Sequence, residues 1–113
     1  KLEWQKMSSA QINVWVLQES GNDYSSAEEY GEVQFVTHTD ITKIKGSQRN
    51  LQVGQDVRRF LSEYILGSDY IIPAGNPMLV CMVLMSLPTG THQFLKWDGR
   101  RSLYIPYHIS PVK

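Results

Sequence analysis

The 113-residue chain has one cysteine, Cys81. No intrachain disulfide can form, which excludes a disulfide-stapled scaffold and fits a reducing compartment such as the cytoplasm. Neither charge is in excess, since eleven Lys and Arg balance eleven Asp and Glu. No global field therefore recruits nucleic acid or an anionic membrane, and any basic site has to be a local patch. No apolar run approaches the about 20 residues that cross a bilayer, so no membrane association is expected. No signal-peptide pattern, internal repeat or low-complexity tract is recognisable. There is no Walker loop and no Gly-x-Gly-x-x-Gly fingerprint, and the three scattered histidines with one cysteine lack a zinc spacing. No cofactor or metal is expected.

What is present centres on Asp69 to Leu87, DYIIPAGNPMLVCMVLMSL. Tyr70-Ile71-Ile72 is apolar and β-rich, as an interior strand requires. Ala74 and Gly75 permit a close turn. Asn76 suits a helix N-cap and Pro77 the first helical position. Met78 to Leu87 then offers only the hydroxyl of Ser86 until Pro88 stops it. A helix so apolar is expected to be buried on all sides, by the rest of the fold or by a second subunit. Cys81 reads as part of that buried filling.

Around this unit the chain reads as a single domain over residues 12–109. Residues 1–11 form a polar, flexible N-terminal segment and residues 110–113 a tail. Met7-Ser8-Ser9 resembles a natural start, and the residues before it stand open as native or as a fusion remnant. Ile12–Leu17 and Glu32–Thr37 alternate as strands, joined by a polar loop in which Ser26-Ala27-Glu28-Glu29 can form one helical turn capped by Ser25 or Ser26. A second polar loop, His38 to Asn50, is pinned by Ile41 and Ile44. Val53, Val57, Phe60, Leu61, Tyr64 and Ile65 follow helical spacing, closed by Gly67. Gln93–Trp97 and Leu103–Ile109 are strands around an Asp98-Gly99 hairpin signal, with Pro106 marking a sheet edge.

The order β-β-α-β-α-β-β predicts an α/β domain with a mixed sheet of five strands and two helices. Helical crossovers make the second, third and fourth strands parallel. The first and fifth are expected at the margins, antiparallel to their neighbours. Whether the helices share a face is left open.

Ligands of open α/β sheets bind at the carboxyl edge of the strands. That edge would receive His38, Asp40, Lys43, Lys45 and Arg49 from the second strand, Gly75 and Asn76 from the third, and Arg100 and Arg101 from the fourth. Cations around a helix N-terminus favour an anion, a phosphate-bearing ligand or a nucleic-acid backbone. The plainer account is that Gly-Asn-Pro is ordinary capping chemistry and that the cations solubilise loops. His38 with Asp40 offers a base and an orienting carboxylate, yet no nucleophile stands beside them. Trp15 and Trp97 are expected to pack under the helices. Tyr104 and Tyr107, on the edge strand, are candidates for stacking a base or filling a partner's pocket.

The stretch DYIIPAGNPMLVCMVLMSL, followed by FLKWDGRRSLYIPYHI and preceded by SAEEYGEV, resembles the layout of small phage-encoded α/β proteins, over Gln18 to Ile109. The resemblance implies a viral accessory protein working inside a bacterial host and says nothing of substrate. The leading expectation is thus a small non-enzymatic binding protein, a homo-oligomer acting on a protein or nucleic acid. The alternative is a nucleotide or phosphate-ligand binder, with a hydrolase as one form of it, using Lys43, Lys45, Arg49, Gly75, Asn76, Arg100 and Arg101.

Overall fold

A computed structural model describes residues 11–112. Strand β1 (Asn13–Gln18) leads through a 3-10 helix (Ser25–Glu29) to β2 (Glu32–Thr37). Helix α1 (Gln48–Glu63) connects to β3 (Tyr70–Ile72), and helix α2 (Pro77–Met85) to β4 (His92–Asp98) and β5 (Leu103–Ile109). The five strands form one mixed sheet in the order β2-β1-β3-β4-β5. This is the expected α/β domain, with the elements in the expected sequence. The N-terminal segment expected to be flexible lies, apart from Gln11, outside the described residues.

Strand β1 corrects one expectation. It is not a marginal antiparallel strand but an interior one, parallel to both β2 and β3. An alternating apolar pattern gives the period of a strand and not its direction. The connection from Glu19 to Gly31 is long enough for a parallel crossover, and its 3-10 helix packs on the sheet as a crossover helix would. Strand β5 is antiparallel and at the edge, as Pro106 indicated.

Alternation along the strands divides the core. Trp15, Leu17, Val36, Ile71 and Phe94 face α1 and α2, which lie on the same side. Val14, Val16, Ile72, Leu95 and Tyr104 face the other side, covered by Tyr24, Ala27 and Tyr30 of the β1–β2 connection. Phe60 of α1 stands edge-on to Trp15 with ring centroids 5.1 Å apart, so Trp15 packs under a helix as expected. Val53 and Val57 are buried with Phe60, whereas Ile65 lies beyond the end of α1 and is exposed. Ser47 caps α1 by accepting from the Asn50 N–H. The 3-10 helix has Tyr24 at its N-cap position and no side-chain cap, so neither Ser25 nor Ser26 caps it.

Helix α2 is not buried all round. Leu79 and Val83 enter the core, but Cys81 is exposed, Met78 is 63% exposed and Met85 86%. A short helix lying on a sheet covers one stripe, and composition alone does not cover the other. Trp97 likewise departs from expectation. It shares the face of Leu95 and Tyr104, away from both helices, and is 46% exposed. Ile41 packs against the core as expected. Ile44 is 64% exposed, and Asn50 holds the loop instead, accepting from Thr42 N–H at 2.9 Å and donating to Thr42 C=O at 2.9 Å.

Candidate functional site at the carboxyl edge

The crossover from β1 runs to one side of the sheet and those from β2 and β3 run to the other. The strand order therefore reverses between β1 and β3, and the crevice beyond their carboxyl ends is where open α/β sheets take ligands. Gln18 ends β1, and Pro73 to Asn76 follow β3. The crevice is closed by the chain itself. Gln18 N–H donates to the Ala74 carbonyl at 3.1 Å, and Gln18 Oε1 accepts from Asn76 N–H at 2.7 Å. Gly75 has φ +122°, and a Cβ there would meet Gln18 Cβ and Oε1 at 2.5 Å, so glycine is required by both torsion and space.

Asn76 caps α2 as expected, its Oδ1 accepting from Met78 N–H at 2.9 Å. Pro77 has no donor to give. The N–H groups of Asn76 and Met78 are thus engaged by Gln18 and Asn76. Asn76 Nδ2 donates to Asp40 Oδ1 at 3.1 Å. Bonds from Asn76 and Gln18, the Ile41 N–H and the charge of Arg49 hold the Asp40 carboxyl below its ordinary range. An acidic group, rather than a vacancy for an anion, stands over the helix start.

The predicted cations are all at this edge but are not brought together. Lys43, Lys45 and Arg49 are exposed on the β2 side, and only Arg49 influences Asp40. Arg100 and Arg101 are exposed on the β4–β5 hairpin, where their N–H groups donate to Asp98 Oδ1 and the Arg101 guanidinium pairs with Asp98 at 3.7 Å. Two strands lie between β2 and β4, a separation of about 14 Å at the usual strand spacing. His38 packs its ring on Phe35, and Asp40 is bonded to Asn76. His92 and His108 project from opposite faces, because their cross-strand partners are Ile109 and Gln93. Among the described residues no group of three or more His, Cys, Asp or Glu could hold a metal ion.

What is open at this edge is an aromatic cleft of about 480 Å³ on the face opposite the helices. Ile72, Leu95, Tyr24, Trp97 and Tyr104 line it, with Asp23 at its rim. Trp97 stands edge-on to Tyr104 at 5.1 Å, and the Tyr24 hydroxyl is bonded to Ser20 Oγ at 2.7 Å. Burial, with Tyr24 and Asp23 nearby, pushes the Tyr104 hydroxyl up. A second concavity, of about 530 Å³, lies on the helix side between α2 and β4–β5, with Leu84, Phe94, Tyr107 and Ile109 in its lining.

The family model described as phage Pam3 gp32-like protein matches residues 5–111. The chain belongs to this family. Nothing among the curated proteins or the solved structures matches it. The phage gp32-like assignment agrees with the resemblance read from the strand, apolar helix and Trp-Asp-Gly hairpin.

Two buried polar groups of this gp32-like chain escape a reading by motif, and both lie toward the opposite, amino edge. Asp69, fully buried, accepts from Asn13 N–H at 3.1 Å, from the Trp15 indole N–H at 3.0 Å and from Ile65 N–H at 3.0 Å. It thereby ties the start of β1, the end of α1 and the entry to β3. His92, buried on β4, has its Nε2 2.7 Å from the Pro88 carbonyl. A carbonyl only accepts, so that nitrogen carries the proton and Nδ1 accepts from the Tyr64 hydroxyl. Burial, followed by the charge of Asp69, raises the Tyr64 pKa to about 12. The available signal was position: an acid directly before an apolar strand, and a histidine at the first residue of another. Among the described residues no helix is long and apolar enough to cross a membrane.

Proposed function

We propose that this phage gp32-like protein is a non-enzymatic accessory protein that acts in the host cytoplasm through protein contacts, and that α2 with β5 is the surface on which it self-associates. One observation carries the reading. Leu84 of α2 lines the concavity with Tyr107 and Ile109, and Met78 and Met85 of the same helix are exposed. From Pro77 to Leu95 the chain has no Asp, Glu, Lys or Arg. Lys96 is the one charged residue in the lining of the concavity, so the patch is mainly apolar, and a second copy matches it in kind. Across a two-fold axis, Met85 of each copy meets the concavity of the other. Strand addition at β5 is disfavoured. Pro106 lacks an N–H, and the outward carbonyl of Tyr104 is taken by the Tyr30 hydroxyl at 2.9 Å.

The test is the mass of the purified protein by light scattering across the micromolar range, for wild type and Met85→Asp. A dimer that becomes a folded monomer on substitution supports the reading. A wild-type monomer throughout the range refutes it.

A second reading rests on the loop and hairpin cations reaching the same edge. In it Lys43, Lys45, Arg49, Gly75, Asn76, Arg100 and Arg101 bind a nucleotide or phosphate-bearing ligand. It requires a rise in melting temperature with nucleotides or phosphate, lost in Arg100→Ala.

A further inference from the structure

We infer that the aromatic cleft on the side opposite α2 is a docking site for an arginine or lysine side chain from a basic segment of a partner protein. This rests on the protein-contact reading but uses a different surface from the proposed dimer.

The first observation is the lining. Trp97 offers a half-exposed indole face braced edge-on by Tyr104, and Tyr24 lies across the cleft. Aromatic faces attract a guanidinium or ammonium through their quadrupole. Asp23 supplies a carboxylate at the rim, fixed by accepting from the Ser25 N–H at 2.9 Å, a bond that lowers its pKa from the ordinary carboxylate value. Lys96 also borders the cleft, but it alternates with Leu95 and Trp97 along β4, so its side chain leaves the sheet on the helix side.

The second observation is charge. The chain is neutral overall but divided. From Met7 to Thr42 it holds Glu19, Asp23, Glu28, Glu29, Glu32 and Asp40, and no Lys or Arg. From Lys43 to Lys113 it holds nine Lys and Arg against four Asp and Glu. The acidic part is β1, β2 and their connection; of its acids Asp23 is the one that lines the cleft, on the wall it forms with Asn22 and Tyr24. That half draws cations and repels phosphate. A volume of about 480 Å³ is ample for one long side chain and its neighbours. The same aromatic rings would stack bases, but a nucleic-acid backbone would have to run along the acidic wall, so the cation is favoured.

The experiment uses the full chain with fluorescein-labelled hexa-arginine, hexa-lysine and hexaglutamine peptides and a ten-residue oligo-dT, read by anisotropy at low and moderate salt. The expected result is binding of the basic peptides and neither control. Asp23→Asn and Trp97→Leu should each weaken binding about fivefold or more. Both side chains reach solvent, and circular dichroism verifies that each variant folds. Binding unchanged in folded Trp97→Leu would mean diffuse attraction to the acidic surface and overturn the site. Tighter binding of oligo-dT than of the peptides, or no binding of either peptide, would overturn it as well. A dimer lost in Met85→Asp with peptide binding retained separates this site from the self-association surface.

Discussion

Replacing Asp69 probes the one buried carboxylate that joins three elements of the fold. Its Oδ2 accepts from the Trp15 indole and from Ile65 N–H, and its Oδ1 from Asn13 N–H. Asp69→Ala removes both acceptor oxygens and leaves three donors, each costing about 1–3 kcal/mol if buried and unpaired. Water entering the space left by the carboxyl recovers part of this, so about 3–5 kcal/mol is expected, a large share of the about 5–15 kcal/mol that holds a domain together. Asp69→Asn behaves differently. Its amide oxygen can take the Oδ2 position and keep Trp15 and Ile65, but its NH₂ then faces the Asn13 N–H, donor against donor. One bond is lost, at about 1–3 kcal/mol. The assay is urea unfolding followed by tryptophan fluorescence and by circular dichroism, with midpoints compared at equal slope. The order wild type, Asn, Ala is required. If Asn costs as much as Ala, the asymmetric division of donors between the two oxygens is wrong. If Ala costs less than about 1 kcal/mol, Asp69 does not join the elements at all.

Gly75→Ala should destabilise by about 2–4 kcal/mol, because φ +122° is strained for any Cβ and that Cβ would displace Gln18 from the Asn76 N–H. Thermal melts check this, and Gln18→Ala in the same chain should relieve only the collision with Oε1, because alanine keeps the Cβ contact at 2.5 Å. Tyr64 has its pKa raised from 10.0 to about 12 by burial and by Asp69. Its contribution to stability is therefore whole below pH 10 and lost as pH rises from 10 toward 12, since the unfolded chain ionises first. Tyrosinate absorbance on base titration should show a late-ionising group missing from Tyr64→Phe. That variant should also cost about 1–2 kcal/mol near neutrality by leaving His92 Nδ1 without a donor.

Much of the fold is legible in residue patterns. Tyr70 to Ile72 is a short apolar run and lies inside the sheet; Asn76-Pro77 starts α2; Pro106 marks β5 as an edge. These are local rules, in which backbone chemistry fixes the outcome whatever the neighbours do. What is not legible depends on partners distant in sequence. The alternation of Asn13–Gln18 is the same for a parallel or an antiparallel neighbour, so the interior place of β1 follows only from how its connection packs. The apolar composition of α2 says that it prefers cover, and says nothing of whether the remaining chain is large enough to provide it. Met78 and Met85 show that the described residues leave part of it uncovered.

The candidate site divides along the same line. The carboxyl edge could be named from topology, and every cation assigned to it is there. Their mutual distance could not be named, because it depends on β1 and β3 lying between β2 and β4. With β1 inserted there, Gln18 comes beside Gly75 and Asn76, and the amides that looked ready for a phosphate are engaged by the chain's own side chains. The same insertion carries the β1–β2 connection across the far face and sets Tyr24 and Asp23 opposite Trp97. One misplaced strand thus accounts for both differences: an anion cradle expected between clustered cations, and an aromatic cleft with an acidic wall that no local motif announces.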